Sequence, residues 1–257
     1  RTQNTSFKNL KTGQSNIAFG DSTLHFVDSG SANIAIGSKS LLKTKIGYNN
    51  VGVGLNTLSE NTSGVQNNAI VTDALKSTTT ACCNNAFGSF TLVNNTTGHR
   101  NSAFGNFALN NNITGSFNSA YGRLSLNSNR VGDYNSAFGQ SALGMDSSGS
   151  YNVALGNSAG SSLKTGDKNI FIGNLAGAND LFVNTSNKLV IQNDNSKTPL
   201  IYGEFDNKKV IINGDLNVTG EINYPSNYNN TAFGRGALGL IDTAIYSNTA
   251  FGTNALS

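Results

Sequence analysis

Apolar and polar positions along this chain recur with a period of 17 residues. Each unit opens Asn, any residue, Ala, a large apolar residue and Gly, as in Asn16-Ile-Ala-Phe-Gly20, Asn101-Ser-Ala-Phe-Gly105 and Asn135-Ser-Ala-Phe-Gly139. Three and four residues after that Gly stand a small residue and usually Leu, as at Ala108-Leu109, Ser125-Leu126 and Ala142-Leu143; a polar run to a second Gly follows. Asn holds the first slot at Asn16, Asn33, Asn50, Asn67, Asn84, Asn101, Asn118, Asn135, Asn152 and Asn169. The fifth slot is Gly20, Gly37, Gly54, Gly88, Gly105, Gly122, Gly139, Gly156 and Gly173, with Val71 in the fourth copy. The second Gly runs in step from Gly13 to Gly166, interrupted by Ala81. A fixed period is the mark of a repeat architecture, and each unit predicts two short strands separated by two turns.

Seventeen residues are too few for a βαβ unit, and polar runs such as Asn110-Asn111-Asn112 disfavour helix. Extended chain coiled into a parallel β-solenoid, or β-roll, fits better. Gly supplies bends that a side chain would obstruct, and stacked Asn residues can form an amide ladder between coils. At about 4.8 Å per strand, the ten coils make a rod roughly 50 Å long. Neighbouring strand residues face opposite ways, so the small column from Ala18 to Ala154 and the large column from Phe19 to Ile172 lie on different faces. Both columns are restricted, which implies that one fills the coil and the other meets a second chain. Gly160 and Gly177 stand where Leu is expected, and Phe171 enters the small column.

The repeats define a domain over residues 1–177. Residues 178–228 form a β-rich connector, with strands expected at Lys188-Leu-Val-Ile-Gln192, Pro199-Leu-Ile-Tyr202, Lys209-Val-Ile-Ile-Asn213 and Leu216-Asn-Val-Thr219. Residues 229–257 begin a second repeat block, with Asn230-Thr-Ala-Phe-Gly234 and Asn248-Thr-Ala-Phe-Gly252 spaced by 18. The start at Arg1 and the stop within a repeat read as a window on a longer protein.

Composition sharpens this picture. The chain has 41 Asn and 29 Gly but no Trp, and its 37% hydrophobic content is too thin for one large core. A net charge of +3, with scattered basic residues, gives no electrostatic footprint for nucleic acid. No apolar run reaches the roughly 18 residues of a membrane span, so no membrane insertion is expected of this segment.

Candidate chemistry is sparse. Asp21, Asp28, Asp133, Asp146 and Asp167 fall at turn or return positions of differing phase, and Glu204 with Asp206 reads as a solvated turn edge. His25 and His99 share no phase, so no catalytic triad can be drawn. No catalytic, cofactor-binding or metal site is expected, and the chain reads as a non-enzyme. Cys82 and Cys83 lie in the coil that has lost both glycines, either as small turn residues or as a kink or interchain contact. Lys43, Lys45, His99, Arg100, Arg123 and Arg130 are candidate receptor-facing residues.

The Asn-x-Ala-φ-Gly-x-x-Ala-Leu pattern with its Gly-bounded return resembles the head repeats of trimeric autotransporter adhesins. It also resembles the 17-residue repeats of phage, viral and bacterial tail-fibre-like proteins that end in an endosialidase-type intramolecular chaperone. The resemblance covers about residues 4–177 and 229–257. It implies a left-handed parallel β-roll assembled as a parallel homotrimer, extracellular on a cell or virion surface, attaching to a host glycan or protein receptor. The alternatives are a passive stalk that positions a distal tip and, less favoured, a glycan-cleaving tailspike.

Overall fold

The computed structural model describes residue 7, residues 9–219 and the strand segments 231–233 and 249–251. The remainder of the sequence-derived ranges, including Gly234 and Gly252, lies outside the described residues.

Ten three-residue strands, β1 to β10, stand at Ile17–Phe19, Ile34–Ile36, Val51–Val53, Asn68–Ile70, Asn85–Phe87, Ser102–Phe104, Ser119–Tyr121, Ser136–Phe138, Val153–Leu155 and Ile170–Ile172. Each pairs in parallel with the next at a step of one repeat, for example Ala103↔Ala120 and Ala120↔Ala137. The repeat domain is therefore an all-β parallel solenoid of 17-residue coils.

One expectation is corrected: each coil carries one strand, not two. The small-Leu pair lies in a turn because its Leu adopts a left-handed backbone, with Leu92 at φ 52°, Leu109 at 50° and Leu143 at 50°. Count the ladder Asn as position 1. Positions 7, 9 and 17 are then left-handed in successive coils, as at Phe107, Leu109 and Phe117. Such a conformation costs a non-glycine residue about 1 kcal/mol or more. Coil-to-coil hydrogen bonds offset it. Leu109 N donates to Ser125 O of the next coil at 3.0 Å, while Phe107 N donates to Ser89 O of the previous coil at 3.1 Å.

The Leu side chains then point inward. Leu24, Leu41, Leu58, Leu75, Leu92, Leu109, Leu126 and Leu143 are fully buried against the small column, where Ala35, Ala69, Ala86, Ala103 and Ala120 are also sealed. Each buried Leu contributes about 2 kcal/mol of apolar transfer. Gly160 and Gly177 end this Leu row, and buried Phe171 occupies the vacated volume. A Cβ on Gly160 would lie 2.7 Å from Phe171 Cδ2, and one on Gly177 would lie 2.2 Å from Cδ1. The large residue in the small column is therefore compensated by two glycines in the Leu row.

The connector extends the same sheet. β11 (Lys188–Ile191) pairs in parallel with β10, and β12 (Ile201–Glu204) and β13 (Lys209–Ile212) continue antiparallel to complete 13 strands. A short 3-10 turn at Asp180–Phe182 places Phe182 edge-on to Phe171, ring centres 5.9 Å apart. Leu216–Thr219 forms no strand, and the antiparallel ladder ends at Ile201↔Ile212.

The chain divides into two compact units, Arg1–Gly214 and Asp215–Ser257. In the second, β14 (Thr231–Phe233) and β15 (Thr249–Phe251) pair in parallel with Ala232↔Ala250, so an 18-residue step also reaches strand register.

Candidate functional site: an interaction surface

The Asn column lies inside the solenoid. From Asn33 to Asn169 each ladder Asn is buried, and each is used by two coils. Asn101 Nδ2 donates to Gly115 O in its own coil at 2.9 Å, while its Oδ1 accepts the backbone N–H of Asn118 at 3.0 Å. The same two links recur from Asn16, through Gly30 O and Asn33 N, to Asn169, through Thr185 O and Lys188 N. Side-chain amides also bond to each other at several steps, as from Asn101 Nδ2 to Asn84 Oδ1 at 3.2 Å. Only an amide supplies a donor and an acceptor at this reach. An ionised Asp lacks the donor, and an apolar residue would orphan buried backbone groups.

The two glycine columns work differently. Gly20, Gly37, Gly54, Gly88, Gly105, Gly122, Gly139, Gly156 and Gly173 have φ between 115° and 140°, where side chains are strained. Val71 takes this position at φ 86°. In the second column the cause is close approach: a Cβ on Gly115 would lie 2.5 Å from Gly132 O.

With Ala inside, the large column faces outward. Phe19 is 74% exposed, Leu155 52% and Phe138 41%. Its members are therefore not core of their own chain. Phe87, Phe104, Tyr121 and Phe138 form a continuous stack, with ring centres 4.7, 4.9 and 4.9 Å apart and planes within 6°. A second outer stack occupies position 17. Phe117, Tyr134 and Tyr151 are spaced 4.7 and 5.0 Å, and the Arg100 guanidinium lies 5.2 Å over Phe117. Sequence reasoning missed this column because its aromatic run spans only three coils.

The six candidate receptor-facing residues do not converge. Lys43, Lys45, Arg100, Arg123 and Arg130 are exposed, and His99 is half-buried. Lys45 and Arg130 share a phase but are five coils apart; Arg123 stands at position 6, and Lys43 is paired with Glu60 at 2.7 Å. Only His99 and Arg100 are neighbours. His99 Nδ1 accepts the backbone N–H of Cys82 at 3.0 Å. Cys82 and Cys83 are free, with sulfurs 2.9 Å apart. Burial, then the Cys83 side chain, pushes the Cys82 thiol pKa up. Strand pairing runs through this coil in register, Ala69↔Ala86.

The carboxylates separate by environment. Glu204 accepts from Asn207 Nδ2 and from Tyr202 OH, and the Asn207 bond chiefly holds its pKa below the ordinary range. Burial, followed by the neighbouring Glu204, raises that of Tyr202. Asp146, read from sequence as a return residue, is fully buried inside the coil.

Two hollows flank the connector. One, of about 410 Å³, is lined by residues including Ile172, Gln192, Asp194, Leu200 and Asn213; the other, of about 330 Å³, by Phe182, Thr185, Pro199, Tyr202 and Ile211. Gln192 Oε1, at the first, is a buried acceptor with no protein partner. Among the described residues no cluster of three or more His, Cys, Asp or Glu could hold a metal ion, and no helix is long and apolar enough to cross a membrane. No protein family, curated protein or solved structure matches the chain.

Proposed function

We propose that this chain is a segment of an extracellular attachment fibre: a left-handed β-roll assembled as a parallel homotrimer on a cell or virion surface. The observation that carries this reading is the outward-facing stack of half-buried Phe87 and Phe104 and exposed Tyr121 and Phe138. A continuous apolar stripe outside a thin coil calls for a partner. Parallel copies around an axis along the rod bring identical residues together at every level, because all copies share one rise. Attachment then falls to non-covalent recognition of a host glycan or protein receptor by the polar return, with Lys43, Lys45, His99, Arg100, Arg123 and Arg130 as the contact residues to test.

The solution mass of the purified chain tests the assembly. Three chains per particle are expected, and a folded monomer overturns the reading. Glycan-array and cell-binding assays on the trimer test attachment. A folded trimer that binds nothing supports the second reading, a passive stalk positioning a distal tip, which is favoured by the dispersal of the six residues over separate faces.

A further inference from the structure

Inside the solenoid runs a second polar ladder, at position 12. Thr78, Asn95, Asn112, Asn129, Asp146 and Leu163 succeed one another there, one per coil, all fully buried. Thr78 Oγ1 donates forward to Asn95 O, but from Asn95 on the side-chain amides are joined in the opposite, constant direction. Asn112 Nδ2 donates to Asn95 Oδ1 at 2.8 Å, and Asn129 Nδ2 donates to Asn112 Oδ1 at 2.8 Å. The next rung is Asp146. An ionised carboxylate has no hydrogen to give, and Asn129 Oδ1 is left a buried acceptor without a protein partner. Leaving such a group unpaired costs about 1–3 kcal/mol, and a carboxylate on the adjoining rung would present a second acceptor to it.

The rest of the Asp146 environment is already arranged. Gly149 N donates to its Oδ1 at 2.8 Å, and Asn152 Nδ2 donates to its Oδ2 at 3.2 Å. We propose that Asp146 folds as the neutral acid and continues the ladder by donating its O–H to Asn129 Oδ1, which makes the eighth coil a proton-operated latch.

The electrostatics agree. Burial raises the Asp146 pKa to about 7 against the opposing hydrogen bonds from Gly149, Ser148 and Asn152, and the Asp167 carboxylate of the next coil pushes the same way. Asn129, Asn135, Asn152 and Leu163, on the surrounding rungs, carry no charge. Arg130 and Lys164, one position along on the flanking coils, are exposed.

The folded pKa lies above the unfolded value of about 3.9. The folded state therefore holds the proton more tightly, and its contribution is complete below about pH 4. It is lost as pH rises towards 7, after which both states are ionised. Three pH units correspond to about a thousandfold in the opening equilibrium of this coil.

The test is a pH titration of the protein labelled with 13C at the Asp carboxyls, in which the Asp146 signal is identified by its absence from Asp146→Asn. A midpoint near 7 is expected; one in the ordinary range near 4 overturns the proposal. In parallel, the wild type should lose resistance to urea between pH 4.5 and 7.5. Asp146→Asn, whose Nδ2 can donate to Asn129 Oδ1 at every pH, should lose about two-hundredfold less in its unfolding equilibrium over that interval, since about pH 4.5 already lies above the unfolded pKa. An unchanged pH dependence in the variant overturns the latch; if the variant does not fold, one wild-type Asp carboxyl with a midpoint near 7 supports the latch, and a spectrum in which every Asp carboxyl titrates in the ordinary range near 4 overturns it.

Discussion

At single residues, the solenoid shows which departures from its pattern are strained and which are compensated. Val71 is strained: a β-branched residue at φ 86° occupies a column where glycine otherwise stands. Val71→Gly should stabilise the chain by about 1 kcal/mol, the strain relieved less the added freedom of the unfolded glycine. Urea denaturation with an unchanged slope would measure it, and a loss of stability would show that valine packing outweighs the backbone. Phe171 is compensated. Phe171→Ala should cost about 3–5 kcal/mol and Gly160→Leu about 1–3 kcal/mol, but the two together should cost less than their sum. Gly160 tolerates this exchange because its φ of 61° is near the 50° of Leu143, its counterpart one coil earlier. Strict additivity in the double-mutant cycle would remove the volume exchange as the reason for both departures. The sequence displayed these two exceptions but not their relation, since Gly160, Phe171 and Gly177 meet only once the coils are stacked.

At the level of the coil, hydrogen bonds carry as much of the order as burial does. Removing one rung should therefore disturb its neighbours. Asn118→Ala would leave Gly132 O and the backbone N–H of Asn135 unpaired inside the solenoid, a loss of about 2–4 kcal/mol. Hydrogen exchange should quicken at Asn118 and Asn135 while Asn33 and Asn50 keep their protection. Acceleration spread evenly over all coils would mean that the solenoid opens as one unit. The period, the ladder residue and the turn glycines were legible in the sequence because each imposes one residue type at one phase. The single strand per coil was not, since Ala-Leu alternates like a strand and local propensity does not foresee a left-handed Leu held by bonds to the coils on either side. Position 12 was likewise hidden: it changes from Val27 through Thr and Asn to Asp146 and Leu163 while remaining buried, so no consensus marks it.

For the whole molecule, the outer face of the strands is where folding and the proposed trimeric assembly can be tested apart. Tyr121 is 37% exposed and stacked between Phe104 and Phe138. Tyr121→Lys should leave the coil folded and shift the particle towards single chains, because like charges brought together around a shared axis repel. Light scattering would report the mass and circular dichroism the fold; an unchanged trimer would place the interface on another face. Sequence reasoning recognised that both faces of the strand are restricted but could not say which was inside. The answer depends on volume: with Leu filling the coil from position 9, only a small residue fits opposite it, and the aromatic column is left to the surface.

The ladder also constrains how this molecule can vary. From Asn16 to Asn152 each ladder Oδ1 receives the N–H of the Asn 17 residues further on, as Asn118 does from Asn135. An amino acid gained or lost in a return has to be absorbed within that return before the next strand, as the 19-residue step from Asn169 to Lys188 absorbs two. Gain or loss of seventeen codons, by contrast, restores every bond and alters only the reach. The solenoid therefore behaves like a ruler cut in whole divisions of about 4.8 Å, and insertion or deletion of whole repeats retunes its length without redesigning what it is.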